Sequence, residues 1–250
     1  ASDVYKRQVS LYLERVMWQS KVWIDGVALE GVQESLTTPH RFDLPSDIRP
    51  GKHRLTIRID NRKQYDISVK DLAHAYTNDT QIMWNGVLGR LELRAENQIS
   101  VEDVQLYPNV SQKKVRCVVT VSNFGKKEKQ GTLSFNPKIL TDGRALSSQL
   151  LTTSFRPGKN TITYAYDMGE NTVLWNEFSP VCYQMDVILT QGKKTSAFSA
   201  RFGMRNLSTS GSVLMNNGDR IYLRGTLECC IFPLTGTPPT DKEGWNKVFS

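Results

Sequence analysis

Val115-Arg116-Cys117-Val118-Val119-Thr120-Val121 decides the fold of this chain. Its odd positions, Val115, Cys117, Val119 and Val121, are all apolar. Because side chains on a strand alternate between faces, these four share one inward face. A second stretch has the same period. In Val181 to Leu189 the residues Val181, Tyr183, Met185, Val187 and Leu189 take the inward face, and Cys182 points outward with Gln184 and Asp186. A disulfide between Cys117 and Cys182 would require a shift of register, so none is expected.

Further strands are expected at Ile99–Tyr107, Gly131–Phe135, Thr161–Tyr166 and Thr195–Phe202. Turn signals such as Asn123-Phe124-Gly125 and Pro157-Gly158 separate them. Short strands at this spacing, with no helical period, predict an immunoglobulin-like β-sandwich over residues 97–202. Trp175 to Pro180 interrupts the pattern as an aromatic, polar crossover. It reads as a structural corner in preference to a domain contact.

Towards the N-terminus, residues 9–96 are also β. Lys21–Ile24, Asp25-Gly26 and Val27–Leu29 read as a hairpin closed by a two-residue turn, where Asp-Gly supplies positive φ. Leu55, Ile57 and Ile59 alternate with polar residues after the Pro50-Gly51 turn, and Leu91, Leu93 and Ala95 resume the alternation. Between them lies a long polar segment containing Asp79, Trp84 and Asn85. Long loops inside compact domains are often functional. Residues 1–8 fit none of this and are set apart as an extension or artefact.

Towards the C-terminus, Ile221-Tyr222-Leu223 follows the turn signal Asn216-Asn217-Gly218-Asp219 and suits a buried strand ending at Gly225. A Pro- and Gly-rich loop closes at Thr240, which with Glu243 has the spacing of a capping box opening a helix through Trp245 to Phe249. One strand and the start of one helix cannot fold alone. Residues 203–250 therefore read as the beginning of a parallel β/α barrel, which needs about 250 residues.

Composition excludes several classes. With 39% hydrophobic and 23% charged residues the chain is an ordinary globular protein. It has no apolar run of about 18 residues, so no membrane partner is expected. The formal charge is +7, but Lys and Arg are interspersed with acids, and Lys126-Lys127-Glu128-Lys129 reads as a solvated hairpin tip. No reader helix or aromatic-basic platform supports nucleic-acid binding. His40, His53 and His74 are too dispersed for a metal site and read as surface residues. None of Cys117, Cys182, Cys229 and Cys230 has a metal-ligand spacing, and no metal or cofactor is expected.

Three groups of residues carry a resemblance. The first is Trp18-Gln19-Ser20-Lys21-Val22-Trp23-Ile24-Asp25-Gly26, followed by Pro39-His40-Arg41-Phe42-Asp43-Leu44-Pro45 and Leu55-Thr56-Ile57-Arg58-Ile59-Asp60-Asn61. The second is Trp84-Asn85-Gly86-Val87-Leu88-Gly89-Arg90-Leu91-Glu92-Leu93. The third is Arg201-Phe202-Gly203-Met204-Arg205 with Asn217-Gly218 and Ile221-Tyr222-Leu223-Arg224-Gly225. Together they resemble glycoside hydrolase family 2. The resemblance implies part of a jelly-roll sugar-binding domain at 9–96, the sandwich at 97–202, and the start of a catalytic (β/α)8 barrel at 203–250.

It also implies a retaining exo-glycosidase with a carbohydrate substrate and two carboxyl groups about 5 to 5.5 Å apart. In the family both sit on later barrel strands, so no catalytic residue is assigned here. Glu228 follows the first strand, and Glu243 is explained as a helix-capping residue. Substrate contacts are expected instead from Asp79, Trp84 and Asn85 in the long loop, where a carboxylate beside an indole suits a sugar, and from Glu228 and Cys229 at the strand end; alternatively Trp84 is core and Asp79 caps a turn. Cys229 occupies the place, four residues after Gly225, where β-galactosidases of the family carry a sugar-contacting histidine. A thiol is a weak hydrogen-bond partner, which counts against β-galactosidase specificity. Cys229 and Cys230 read alternatively as apolar fillers. The second function class is a non-catalytic carbohydrate-binding or adhesion protein of two sandwiches. Neither oligomeric state nor compartment is fixed by the sequence, although a periplasmic or secreted setting suits polysaccharide breakdown.

Overall fold

The computed structural model describes residues 7–65, 83–226 and 232–249. Asp79, Glu228, Cys229, Cys230 and His74 lie outside them. Two compact units form: one of residues through Ala95 with those from Gly225 onward, the other of Glu96–Arg224.

The first unit contains β1 (Arg7–Val16), β2 (Gln19–Ile24), β3 (Val27–Ala28), β4 (Gln33–Glu34), β5 (His40–Asp43), β6 (Leu55–Asp60) and most of β7 (Val87–Asn97). One sheet has the order β5-β1-β7, and in the other β2 pairs with β3, β4 and β6. Leu11 and Leu13 from β1, Val22 from β2 and Phe42 from β5 meet in its core. The Asp25-Gly26 turn is as expected, with φ of 51° and 86°. Asp25 also accepts a hydrogen bond from the Arg54 amide at 2.7 Å and pairs with His53 Nδ1 at 2.6 Å. These contacts tie the hairpin to the start of β6.

Two expectations for this unit are corrected. His40 is not a surface residue: it is only 1% exposed. Alternation along β5 puts it on the same inward face as Phe42. Its Nδ1 lies 2.6 Å from the Ser20 hydroxyl, while its Nε2 is buried with no partner. Leu91 and Leu93 do lie on a strand, but they are 52% and 66% exposed. Their polar neighbours on β7 explain the orientation. The guanidiniums of Arg90 and Arg94 lie over the Tyr12 ring, and Arg90 bonds Glu14 at 2.9 Å. The leucines take the opposite side, which the described residues leave largely open.

The second unit is a two-sheet sandwich of β8 (Ile99–Asn109), β9 (Lys114–Asn123), β10 (Lys129–Ile139), β11 (Gln149–Phe155), β12 (Gly158–Asp167), β13 (Tyr183–Gln191) and β14 (Lys194–Phe202). The sheets have the orders β12-β9-β8 and β11-β10-β13-β14. Val115, Cys117, Val119 and Val121 are completely buried, facing Leu133, Phe135, Met185 and Val187 of the other sheet within one core. Phe135 stacks on Tyr164 with centroids 4.4 Å apart. Cys117 and Cys182 are free thiols. Burial pushes the Cys117 thiol up to about 12, so it behaves as a small apolar filler.

After the sandwich come β15 (Leu207–Ser210), β16 (Val213–Asn216) and β17 (Asp219–Arg220), an antiparallel meander. Here the single-strand reading of residues 203–226 is corrected. Ile221–Leu223 form no strand, and Tyr222 and Leu223 are 62% and 78% exposed. A strand needs a partner, and among the described residues only the Ile221 amide reaches back, to the Leu214 carbonyl at 3.0 Å. The helix α1 (Lys242–Phe249) forms, but its cap is Asp241, whose carboxylate accepts the Gly244 amide at 2.7 Å. Thr240 is thus one residue too early. Glu243 instead pairs with Lys247 at 3.1 Å, one turn on.

Two outcomes follow. Phe135→Ala, which empties a fully buried and stacked site, is expected to cost about 3–5 kcal/mol in urea unfolding. For His40, burial lowers its pKa below the usual 6.5. The folded state thus disfavours the proton that the unfolded chain accepts. Stability is full above about pH 6.5, falls as pH drops towards the folded value, and then levels off. His53 has the opposite sign, because Asp25 raises its pKa. The difference in melting temperature between wild type and His40→Asn, measured from pH 7.5 to 5, therefore isolates His40; a difference that is flat with pH counts against this account.

Candidate functional site

Of the five predicted substrate-contacting residues, the structure describes Trp84 and Asn85. They precede β7 through Gly86, whose φ of +113° lets the chain turn into the strand. The Trp84 carbonyl accepts a hydrogen bond from Asn61 Nδ2 at 3.1 Å. Asn61 directly follows β6, so the end of one strand fixes the approach to another across 23 positions. The indole is half-buried, with its Nε1 closed off from solvent and without a partner. Asn85 is exposed. Trp84 is thus held by its backbone.

The second unit holds a concavity that the sequence did not single out. It encloses about 610 Å³ between the crossover at residues 174–179 and the β15–β17 meander. Trp175 is its anchor. Its amide donates to the Met204 carbonyl at 2.9 Å, and its own carbonyl accepts from Asn216 Nδ2 at 3.2 Å and Asn217 Nδ2 at 3.0 Å. Arg205 lies over the indole with its guanidinium 4.7 Å from the ring centre. A Cβ on Gly203 would come within 3.0 Å of the Trp175 Cβ, so glycine there lets the ring pack against the backbone. Asn176 stabilises the turn by accepting the amides of Phe178 and Ser179 at 2.9 and 2.7 Å. These bonds make Trp175–Pro180 a built corner of the unit.

The turn signal found at Asn216–Asp219 is what positions the far wall. Asn217 and Gly218 have φ of 54° and 92°, the pair of positive values that a tight hairpin turn requires. The wall carries Tyr222, with Arg220 stacked over it at 4.5 Å, and the rim carries Phe178, which is 91% exposed. The lining combines apolar and aromatic side chains, with Arg205 and Arg220 over the rings of Trp175 and Tyr222, and it also includes the carboxylates Glu177 and Asp219. No cluster of three metal-binding side chains occurs among the described residues.

Comparison with known proteins gives one consistent result. The family model for glycosyl hydrolases family 2 matches residues 99–205. The β-galactosidase large subunit of Leuconostoc lactis is 24% identical over 230 residues, covering 89% of this chain and 34% of that protein. The β-galactosidase of Thermoanaerobacterium thermosulfurigenes is 23% identical over 239 residues, covering 94% and 33%. Among solved structures, a β-glucuronidase of Bacteroides uniformis superposes with a TM-score of 0.72 at 17% identity, covering 90% of this chain and 28% of that one. The chain thus spans about a third of the length of the curated relatives it matches.

Removing the indole with Trp175→Ala loses its packing on Gly203 and its contact with the Arg205 guanidinium, while the backbone carbonyl that holds the side-chain amides of Asn216 and Asn217 is retained. The expected cost is about 2 kcal/mol in urea unfolding, with Trp175→Phe recovering part of it. A loss below about 0.5 kcal/mol, the range of a neutral surface change, would show that the corner is not held this way.

Proposed function

We propose, from the premise that this chain belongs to glycosyl hydrolases family 2, that it provides the non-catalytic β domains and the approach to the catalytic barrel of a retaining exo-glycosidase. The single observation that carries this is the family match over the sandwich, residues 99–205. Under this reading the first unit is part of a jelly-roll sugar-binding domain and the second an immunoglobulin-like sandwich. Residues from Gly225 lead into a (β/α)8 barrel, whose active site lies at the C-terminal ends of its strands.

The chemistry would be that of two carboxyl groups about 5 to 5.5 Å apart, one attacking the sugar and the other protonating the leaving oxygen. These groups belong to later barrel strands than the 250 residues contain. Asp79, Trp84, Asn85, Glu228 and Cys229 would at most hold the sugar. The wide separation of Asp79 and Asn85 from Glu228 in sequence fits a pocket assembled from several segments, as sugar sites commonly are. The β-galactosidase and β-glucuronidase names belong to the relatives; the sugar this protein takes is left open by them.

Two measurements test the proposal. A panel of aryl-glycosides offered to the purified 250-residue chain is expected to show no turnover, and turnover abolished by Glu228→Gln would overturn the assignment of catalysis to later strands. The coding DNA after Ser250 is expected to continue in frame with an Asn-Glu pair at a strand end. An immediate native stop codon would favour the non-catalytic carbohydrate-binding protein.

A further inference from the structure

The sandwich of the second unit has two electrostatically different ends. Pairings of Ile99 and Gly158 with Asn123, and of Lys129 with Phe155, place the β9–β10, β11–β12 and β13–β14 turns at one end. Asn123 locks that end. Its Nδ2 donates to the Phe155 carbonyl at 2.9 Å and the Lys127 carbonyl at 3.0 Å, and its Oδ1 accepts the Gly125 amide at 2.9 Å. Gln191 Nε2 bonds the Gln130 carbonyl at 3.4 Å, bringing the third turn alongside.

The run Lys126-Lys127-Glu128-Lys129, by itself a solvated hairpin tip, is therefore joined by Arg156 and Lys159 from the second turn and Lys193 and Lys194 from the third. Against these seven cations stand Glu96, Glu102 and Glu128, leaving a net +4 of the chain's +7. Glu102 lies 3.5 Å from Lys159 and Glu128 3.9 Å from Arg156. Lys126, Lys127, Lys193 and Lys194 have no carboxylate partner among the described residues. At the opposite end, Lys113, Lys114 and Arg144 face Asp142, Asp167 and Glu170 and cancel. The polarity thus belongs to the fold and is not evident in the composition.

We propose that this basic end is a docking surface for an anionic polysaccharide, a sugar polymer carrying carboxylates or sulfates. The choice of a sugar polymer rests on the carbohydrate reading given under Proposed function; the charge and its placement do not. Six of the seven cations are lysines, point charges on flexible stems that tolerate varied anion spacing. The three turns present no exposed aromatic platform on which bases could stack, which disfavours single-stranded nucleic acid. Like charges gathered on one surface raise the local concentration of a polyanion and speed its capture, an effect that salt weakens.

The test is affinity electrophoresis of the 250-residue chain through gels containing polygalacturonate, dextran sulfate, neutral galactan or duplex DNA, at about 50 and 300 mM NaCl. Expected is retardation by one or both anionic glycans, none by galactan, and a fall of at least about tenfold in affinity at the higher salt. The triple variant K126E/K127E/K193E should lose affinity by a similar factor, with the wild-type melting temperature. If charge reversal impairs folding, K126Q/K127Q/K193Q replaces it. Undiminished binding by the folded variant, equal binding of galactan, tighter binding of DNA at the same salt, or no retardation at all overturns the proposal. Because no turnover is read, this failure is distinguishable from failure of the glycosidase reading, which the aryl-glycoside and downstream-sequence tests address.

Discussion

The second unit depends on a single constraint, the two-residue period of β9 closing against β10 and β13. Val115, Cys117, Val119 and Val121 disappear entirely from solvent, and each large apolar side chain buried in this way stabilises by about 1.5–3 kcal/mol. A slip of one residue would turn that face outward and bring Arg116, Val118 and Thr120 in. Register is therefore fixed over the whole ladder, from Thr132 opposite Thr190 to Ile139 opposite Tyr183. Fixed register in turn fixes where every turn falls. The charge of the sandwich ends and the place of the Trp175 corner both follow from it.

Elements whose signal is local were legible in the sequence. The inward faces of β9 and β13, the Asp25-Gly26 hairpin and the Asn217-Gly218 turn need only periodicity and backbone preference. Elements whose signal is tertiary were not. β11 escaped because its alternation is blunted by Leu150, an apolar residue on the outward side. β15 escaped because Leu207-Ser208-Thr209-Ser210 is mostly polar and exposed, and among the described residues it pairs only with β16. Ile221–Leu223 failed in the opposite direction: three apolar residues satisfy a pattern, but a strand also requires a neighbour. His40 looked polar, yet strand parity places it beside Ser20, whose side-chain hydrogen bond helps make its burial tolerable.

The candidate site was less legible than the fold for a related reason. Trp84 and Asn85 were singled out with Asp79 because a carboxylate beside an indole stands out in a long polar segment. Their positioning comes from Asn61, whose amide gives no sign in the sequence that it reaches the Trp84 carbonyl. The cleft beside Trp175 was invisible, since its walls are 26 to 49 positions apart in the chain. Asp79, Glu228 and Cys229 lie outside the described residues, and their roles rest on the resemblance alone.

Low identity with the relatives is what this division between pattern and residue leads one to expect. A sandwich core asks for apolar volume at alternate positions, and Cys117 meets that demand as well as valine does, with its thiol kept protonated by burial. Such positions drift in identity while the fold persists, as a TM-score of 0.72 at 17% identity illustrates. Specificity for a sugar has no such tolerance, because a hydrogen bond to a hydroxyl depends on one side chain at one place. The fold of this chain is therefore secured by many interchangeable residues, whereas a hydrogen bond that selects one sugar over another would rest on a few that are not.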